Sequence, residues 1–312
     1  MLLRRLIGLL LTLLAVSLLL FLVMNLLPGD PAAVMLGTSA RPDTLAAMRE
    51  AMGLDRPLPV RFVVWLGGVL TGDFGTSITY GTPVAELIRD RAAVTLPLAG
   101  LAILLSILIA LPLGLVSAAR RGRRADAVAG LFAQLGLALP NFWIGLLLVL
   151  VFASELHWLP SGGFPGWSAG LGPALSALVL PTVALALPQA AVLTRVTRAA
   201  LLDTLAEDFV RTARAKGLTR REALLRHALP NAMVPILTIL GLQFSFLVAG
   251  AVLVENVFDL PGLGRLVYQA LLQRDAVVVQ GTVLCFTALV VVVNFLVDLA
   301  YLRFDPRLRA AS

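Results

Sequence analysis

The sequence predicts an all-α integral membrane protein with six transmembrane helices, and three observations carry that prediction. Hydrophobic residues make up 59% of the 312 and charged residues 14%, with a mean hydropathy of +0.93. A soluble domain of that composition would present more apolar surface than water tolerates. Six stretches contain no Asp, Glu, Lys or Arg, at 6–29, 92–119, 127–154, 156–194, 227–254 and 276–297. Each is longer than the roughly 20 residues a helix needs to cross a bilayer. Finally, basic residues gather on alternate connections. With the N-terminus in the cytoplasm, Arg4 and Arg5, the four arginines from Arg120 to Arg124, the eight Lys/Arg from Arg195 to Arg226 and the three from Arg303 to Arg309 all face inward, which is 17 of 25. Most of the other eight lie in 28–91, a segment of more than roughly 60 residues and so beyond the positive-inside bias. Both termini are expected in the cytoplasm. The formal charge of +7 is thereby explained by membrane orientation rather than by nucleic acid.

The first span is expected at Ile7–Leu27. Arg4 and Arg5 ahead of it resemble the start of a secretory signal, but the apolar run exceeds the roughly 7–15 residues of such a signal and no small-x-small site precedes Pro28. Pro28-Gly29-Asp30-Pro31 then turns the chain out of the membrane. In the outer segment, two short surface helices are expected at Thr44–Met52, behind Pro42-Asp43 and before Gly53, and at Val84–Arg91, behind Thr82-Pro83.

The remaining spans are expected at about 94–118, 127–153, 174–197, 231–254 and 276–300. An Arg-rich inner loop separates the second from the third, and an outer loop with Trp158 and Trp167, suited to the interfacial belt, separates the third from the fourth. Pro97, Pro112, Pro140, Pro181, Pro188 and Pro235 lie inside spans. Each removes a backbone hydrogen bond that lipid cannot replace, which suits kinked helices along a pathway or ordinary bundle packing. Cys285, alone and within the last span, leaves no intrachain disulfide or thiolate metal site and reads as a small core residue. The expected organisation is 1–93 for the first helix and outer segment, 94–302 for a five-helix domain, and 303–312 for a cytoplasmic tail.

Between spans four and five the chain becomes basic and amphipathic. From Asp203, Leu205, Phe209 and Ala213 recur every four residues and predict one apolar face, with Glu207, Asp208, Arg211, Arg214 and Lys216 on the rest. Acids precede bases, as the helix dipole favours, and Gly217 stands where a left-handed residue would end the helix. Thr219-Arg220-Arg221-Glu222 reads as a capping box opening a second helix toward Pro230. Such a loop fits either a surface for anionic lipid or a contact with another protein.

This stretch resembles the EAA loop of ABC importer permeases, in which Glu-Ala-Ala is followed by three residues, Gly, nine residues, an aliphatic residue, one more, and Leu-Pro. Ala213, Gly217 and Leu229-Pro230 fall at matching spacing; Arg211, Thr212 and His227 depart from the pattern. Phe209 to Leu218 is similar to the version in dipeptide, oligopeptide and nickel permeases. The resemblance continues through Leu27-Pro28-Gly29-Asp30-Pro31, Gly72 to Ser77, Pro83-Val84, Glu255 to Phe258, Pro261 to Gly264 and Asp305-Pro306-Arg307. Together these resemble the first membrane subunit of that branch.

The resemblance implies a type I importer permease fold in the bacterial plasma (inner) membrane. It also implies a second permease subunit, two cytoplasmic ATPases that bind ATP and Mg, and an external solute-binding protein. It assigns ATPase coupling to a cytoplasmic helix over 203–217 with Phe209, Arg211, Thr212, Ala213, Arg214, Ala215, Lys216 and Gly217. Glu255, Asp259, Pro261 and Gly262 are candidates for an outer gate or a binding-protein contact, or for a capped connector. No catalytic residue, cofactor or metal site is expected in this chain. It lacks a Gly-x-x-x-x-Gly-Lys-Ser/Thr loop, and neither His157 nor His227 has a cysteine or acid pattern near it. A secondary carrier would need ionisable groups at mid-membrane, which the spans almost lack, and a membrane enzyme would need a nucleophile with its base. Short peptides are the favoured cargo, with nickel complexes, glutathione and small glycans left open. Asn141, Gln134, Gln189, Gln243, Ser245 and Asn294 suit either a polar route or interhelical hydrogen bonds.

Overall fold

A computed structural model describes residues 2–26, 31–36, 41–51 and 53–304. Pro28-Gly29-Asp30 and Asp305-Pro306-Arg307, both used above, lie outside the described residues, as does most of the expected tail. Among the described residues the regular structure is helical. The helices are α1 (Leu2–Leu26), α2 (Pro31–Leu36), α3 (Pro42–Ala51), α4 (Leu58–Thr71), α5 (Val84–Ala119), α6 (Arg124–Ala138), α7 (Asn141–Leu148), α8 (Leu171–Ala206), α9 (Asp208–Ala215), α10 (Arg220–Glu222), α11 (Leu229–Val257), α12 (Leu263–Leu272) and α13 (Ala276–Phe304). A π-helical turn, Val149–Glu155, extends α7, and another, Ala223–Ala228, joins α10 to α11.

Among the described residues, five helices are long and apolar enough to cross a membrane: Leu6–Leu26, Val84–Ala119, Leu171–Ala206, Arg220–Val257 and Ala276–Ala300. The expected third span is broken. Arg124–Ala138 and Asn141–Glu155 meet at 101°, and if this bent pair counts as one span the described residues hold six. Pro140 has no N–H to return to the carbonyl four residues earlier, and it drives Leu139 into extended backbone, φ −99 and ψ 126. Elsewhere proline does not stop the helix: α5 and α8 each run 36 residues through two prolines. The separate helix expected at Val84–Arg91 is therefore the first part of α5, because Ala92 and Ala93 supply no breaker. Helix α4 was not expected; Gly67-Gly68 and its β-branched residues obscure the helical period, and it ends at Gly72.

The chain divides into two compact units. One contains Leu2–Ala93 with Arg265–Val291. Here Phe21 of α1 packs on Phe62 and Trp65 of α4, with ring centroids 5.4 and 5.8 Å apart. Asp275, fully buried, caps α13 through the Val278 N–H at 3.2 Å. It also accepts from Ser77 Oγ at 2.6 Å and the Thr79 N–H at 3.0 Å, which fixes the 72–82 loop to the start of α13.

The other unit contains Val94–Gly264 and the chain from Val292. Helix α8 is its axis, burying Leu178, Leu185, Leu193 and Leu201 and packing against α6, α7 and α11. Asp126 near the start of α6 ties it to Arg198 of α8, accepting from Nε at 2.6 Å and Nη2 at 2.9 Å. Its other partners are Ser117 Oγ and the Gly122 N–H.

Candidate functional site

The segment 203–229 does not form one helix over 203–217. Asp203 to Ala206 are the end of α8, Glu207 is extended at φ −67 and ψ 147, and α9 starts afresh at Asp208. The break reassigns the faces. Leu205 belongs to another helix, and the buried face of α9 is Val210 and Ala213, packed toward α8 and the π turn. Phe209, expected on one apolar face with Leu205 and Ala213, is 44% exposed, whereas Ala213 is buried.

The end of α9 is a Schellman motif. The Leu218 N–H donates to the Ala213 carbonyl at 3.3 Å and the Gly217 N–H to that of Arg214 at 3.0 Å, with Gly217 left-handed at φ +100. The capping box follows: Thr219 Oγ1 accepts from the Glu222 N–H at 3.2 Å, and Glu222 Oε2 from the Thr219 N–H at 2.9 Å. One terminus is thus locked to the next. Beyond it, the π turn places its extra residue immediately before Leu229-Pro230, where the proline lacks an amide to give. His227, the residue out of pattern, lies in that turn, and its carbonyl accepts from Asn231 Nδ2 at 2.7 Å.

Arg211, Thr212, Arg214, Ala215 and Lys216 are all exposed alongside Phe209. The Arg211–Asp208 pair at 3.1 Å is solvent-exposed and so contributes little to stability. Helix α9 thus presents an exposed aromatic ring beside Arg211, Arg214 and the Lys216 that follows its last residue.

The second candidate lies at the end of α11. Glu255 is fully buried, accepting from Thr95 Oγ1 at 2.6 Å, and the same hydroxyl accepts from the Leu263 N–H at 2.8 Å. A Cβ on Gly262 would sit 2.2 Å from the Glu255 carboxyl carbon, and one on Gly264 would sit 2.5 Å from Val252 Cα. The loop 259–264 therefore wraps the carboxylate, and both glycines are required by close approach. As a surface contact the set needs correction: Glu255 and Gly262 are buried, Pro261 is half-buried, and Asp259, at φ +52, is the exposed member. Thr95, which sequence reasoning missed, completes this cage from a position 160 residues away. The Asp126–Arg198 tie was missed likewise. Its only signal was an acid in the first turn of a helix behind four arginines.

Comparison with known proteins fits this architecture. A probable peptide ABC transporter permease of Sinorhizobium fredii is 42% identical over 98% of both chains. A glutathione transport system permease protein of Salmonella typhimurium is 40% identical over the same shares. A putative peptide transport system permease of Brucella abortus is 42% identical over 95% of this chain and 94% of its own. Among solved structures, an amino acid ABC transporter aligns at a TM-score of 0.53 with 21% identity, covering 70% of this chain and 94% of that one. The inward-facing MetNI methionine ABC transporter aligns at 0.56 with 19% identity, covering 70% and 97%. These share the fold, which is that of importer permeases. Residues 1–99 match the N-terminal part of binding-protein-dependent transport system membrane components, and residues 110–310 match the main part. The chain belongs to the family of binding-protein-dependent transport system inner membrane components.

Proposed function

We propose that this chain is the first of two permease subunits of an ATP-driven importer of short peptides, working by alternating access in the bacterial inner membrane with both termini in the cytoplasm. Residues 94–302 form the transport domain, 1–93 the first helix and outer segment, and 303–312 a cytoplasmic tail. ATP and Mg belong to two partner ATPases, and cargo arrives on an external solute-binding protein.

The observation that carries this reading is α9: a short helix with a buried face of Val210 and Ala213, an exposed Phe209 among cations, and a glycine-locked end. Such a helix transmits displacement, because its docking residue and its hinge are held by different bonds. Phe209, Arg211, Thr212, Arg214, Ala215 and Lys216 meet an ATPase groove, while Ala213 and Gly217 hold the helix to the bundle. Switching a carrier from 1:99 to 99:1 takes about 5.5 kcal/mol of differential binding, supplied through this contact. At the outer end the 255–264 loop acts in gating, with Asp259 as its exposed contact. Peptide cargo is supported by the peptide permeases among the relatives, and glutathione, itself a short peptide, by the Salmonella relative.

The test is purification of the complex with its partners, followed by peptide and glutathione uptake in proteoliposomes. Copurifying ATPases and ATP-dependent uptake of either cargo are expected. A chain that purifies without ATPases and carries cargo without ATP overturns the reading.

A further inference from the structure

Between the start of α6 and the second half of α8, within the 94–264 unit, lies a groove of about 900 Å³. Arg123 and Arg124 line it from α6 and Arg195 and Arg198 from α8, and Asp126 is the one acid in its walls. That carboxylate is already saturated. Its Oδ1 accepts from Ser117 Oγ and Arg198 Nε, and its Oδ2 from the Gly122 N–H and Arg198 Nη2. It neutralises Arg198 and has no lone pair left for another cation. Among the described residues no acid pairs with Arg123, Arg124 or Arg195. Three uncompensated guanidinium groups thus share one groove, and Arg198 Nη1 is still free to donate. Their mutual repulsion is relieved by an anion with several oxygens, and phosphate matches the arginine fork.

Farther along α6 the groove changes character. Gly130, Leu137 and Ala138 continue its wall without charge, and Gln134 is the one neutral polar side chain there. Arg124 and Ala138 lie at the two ends of α6, about 21 Å apart. On the adjoining flank of the helix Val128, Leu131 and Leu135 are more than half exposed, a surface that acyl chains cover in a bilayer. Cations at one end and apolar surface running from them into the membrane have the outline of a phospholipid. A nucleotide would find no ring on which to stack its base, since no aromatic side chain lines the groove.

We propose that the α6–α8 groove binds an anionic phospholipid of the inner leaflet, its phosphate among Arg123, Arg124 and Arg195 and an acyl chain along Gly130 and Leu137. Basic pockets between membrane helices on the cytoplasmic side hold acidic headgroups in this way. The lipid bridges the start of α6 to α8 beside the Asp126 tie. The choice of leaflet rests on the orientation proposed above, whereas binding does not, because in detergent both ends of the groove are open. A reversed orientation would move the site to the other leaflet and leave the binding result standing.

The test uses the complete transporter, delipidated in detergent and titrated with phosphatidylglycerol or phosphatidylcholine, with bound lipid counted by native mass spectrometry. The native complex should hold phosphatidylglycerol at least tenfold more tightly. Arg123→Gln with Arg195→Gln should weaken phosphatidylglycerol about 30-fold, the effect of two cations at about 1 kcal/mol each, and leave phosphatidylcholine unchanged. Lysine at both positions should restore most of the affinity, which a merely structural role would not do. Equal affinity of the native complex for the two lipids overturns the site, as does phosphatidylglycerol binding that is unaltered in the glutamine variant or equally lost in the lysine variant. Glycerol 3-phosphate should compete only at more than 100-fold higher concentration. Competition at equal concentration would make this a site for a soluble phosphate and overturn the lipid assignment. If the glutamine variant fails to assemble, Gly130→Leu decides. A Cβ at 130 meets nothing within 4 Å, so the larger side chain fits the fold and occupies the groove. Phosphatidylglycerol affinity should fall at least fivefold in that variant, and native affinity overturns the proposal.

Discussion

At Gly217 a single backbone torsion decides whether α9 has a defined end. A Cβ there would meet nothing within 4 Å, so the cost of substitution is conformational alone at φ +100. Gly217→Val should cost more than the roughly 1–2 kcal/mol of an ordinary left-handed residue, and Gly217→Asn less, since asparagine tolerates that region. Both variants should insert into the membrane. Copurification of ATPases and ATP-dependent uptake should fall in the order native, Asn, Val, and a valine variant that couples normally refutes the role given to this residue. Phe209→Ala separates docking from folding: the ring is exposed, so thermal stability of the chain should stay within about 0.5 kcal/mol. Affinity for the ATPases should fall by about 2 kcal/mol, roughly 30-fold, as measured by titrating ATPase onto the reconstituted permease. Gly217 was legible because glycine, capping box and Leu-Pro stand at fixed spacing. The side taken by Phe209 was not, because the break at Glu207 involves neither glycine nor proline and shifted the helical phase. Nor was the burial of Glu255, whose partner Thr95 is remote in sequence.

Among the elements, the tie between α6 and α8 and the elbow between α6 and α7 govern the same segment. Asp126 gathers Arg198, Ser117 and the Gly122 amide at the start of α6, so the loop at 120–123 and two helices meet on one carboxylate. Asp126→Asn removes the charge while keeping the shape, leaving Arg198 without its anion. With the Arg198 side chain 35% exposed, solvent screens part of the loss, and about 1–2 kcal/mol of stability should disappear. Thermal unfolding in detergent should show a midpoint lower by several degrees, and an unchanged midpoint would show that the pair does not tether α6. Span positions were legible from charge-free windows alone, since the bilayer imposes them. Helix continuity was less so: six prolines looked alike in sequence, yet Pro140 alone marks the break of a span. The other five lie inside the continuous helices α5, α8 and α11, and nothing in the local sequence sets them apart from Pro140.

For the whole molecule, the two candidate sites make one joint prediction about sidedness. Helix α9, with its proposed coupling role, and the loop 259–264 lie at opposite ends of the fifth span, separated by the 29 residues of α11. At 1.5 Å per residue that is about 43 Å, the full thickness of a bilayer with its headgroups. Both Lys216 and Asp259 are exposed, and if the basic connections are inside, as proposed, Lys216 should face the cytoplasm and Asp259 the outer compartment. The single native cysteine, Cys285, makes the experiment clean once replaced by serine. In that background Asp259→Cys should react with a membrane-impermeant thiol reagent added to spheroplasts, whereas Lys216→Cys should react only after the membrane is opened. Saturating the complex with ATPase should then protect Lys216→Cys and leave Asp259→Cys unaffected, because docking covers one end only. Labelling of both from the same side would invert or remove a span and overturn the topology. Labelling from opposite sides without protection by ATPase would keep the topology and withdraw the coupling role from α9, so each outcome bears on a different level of the structure.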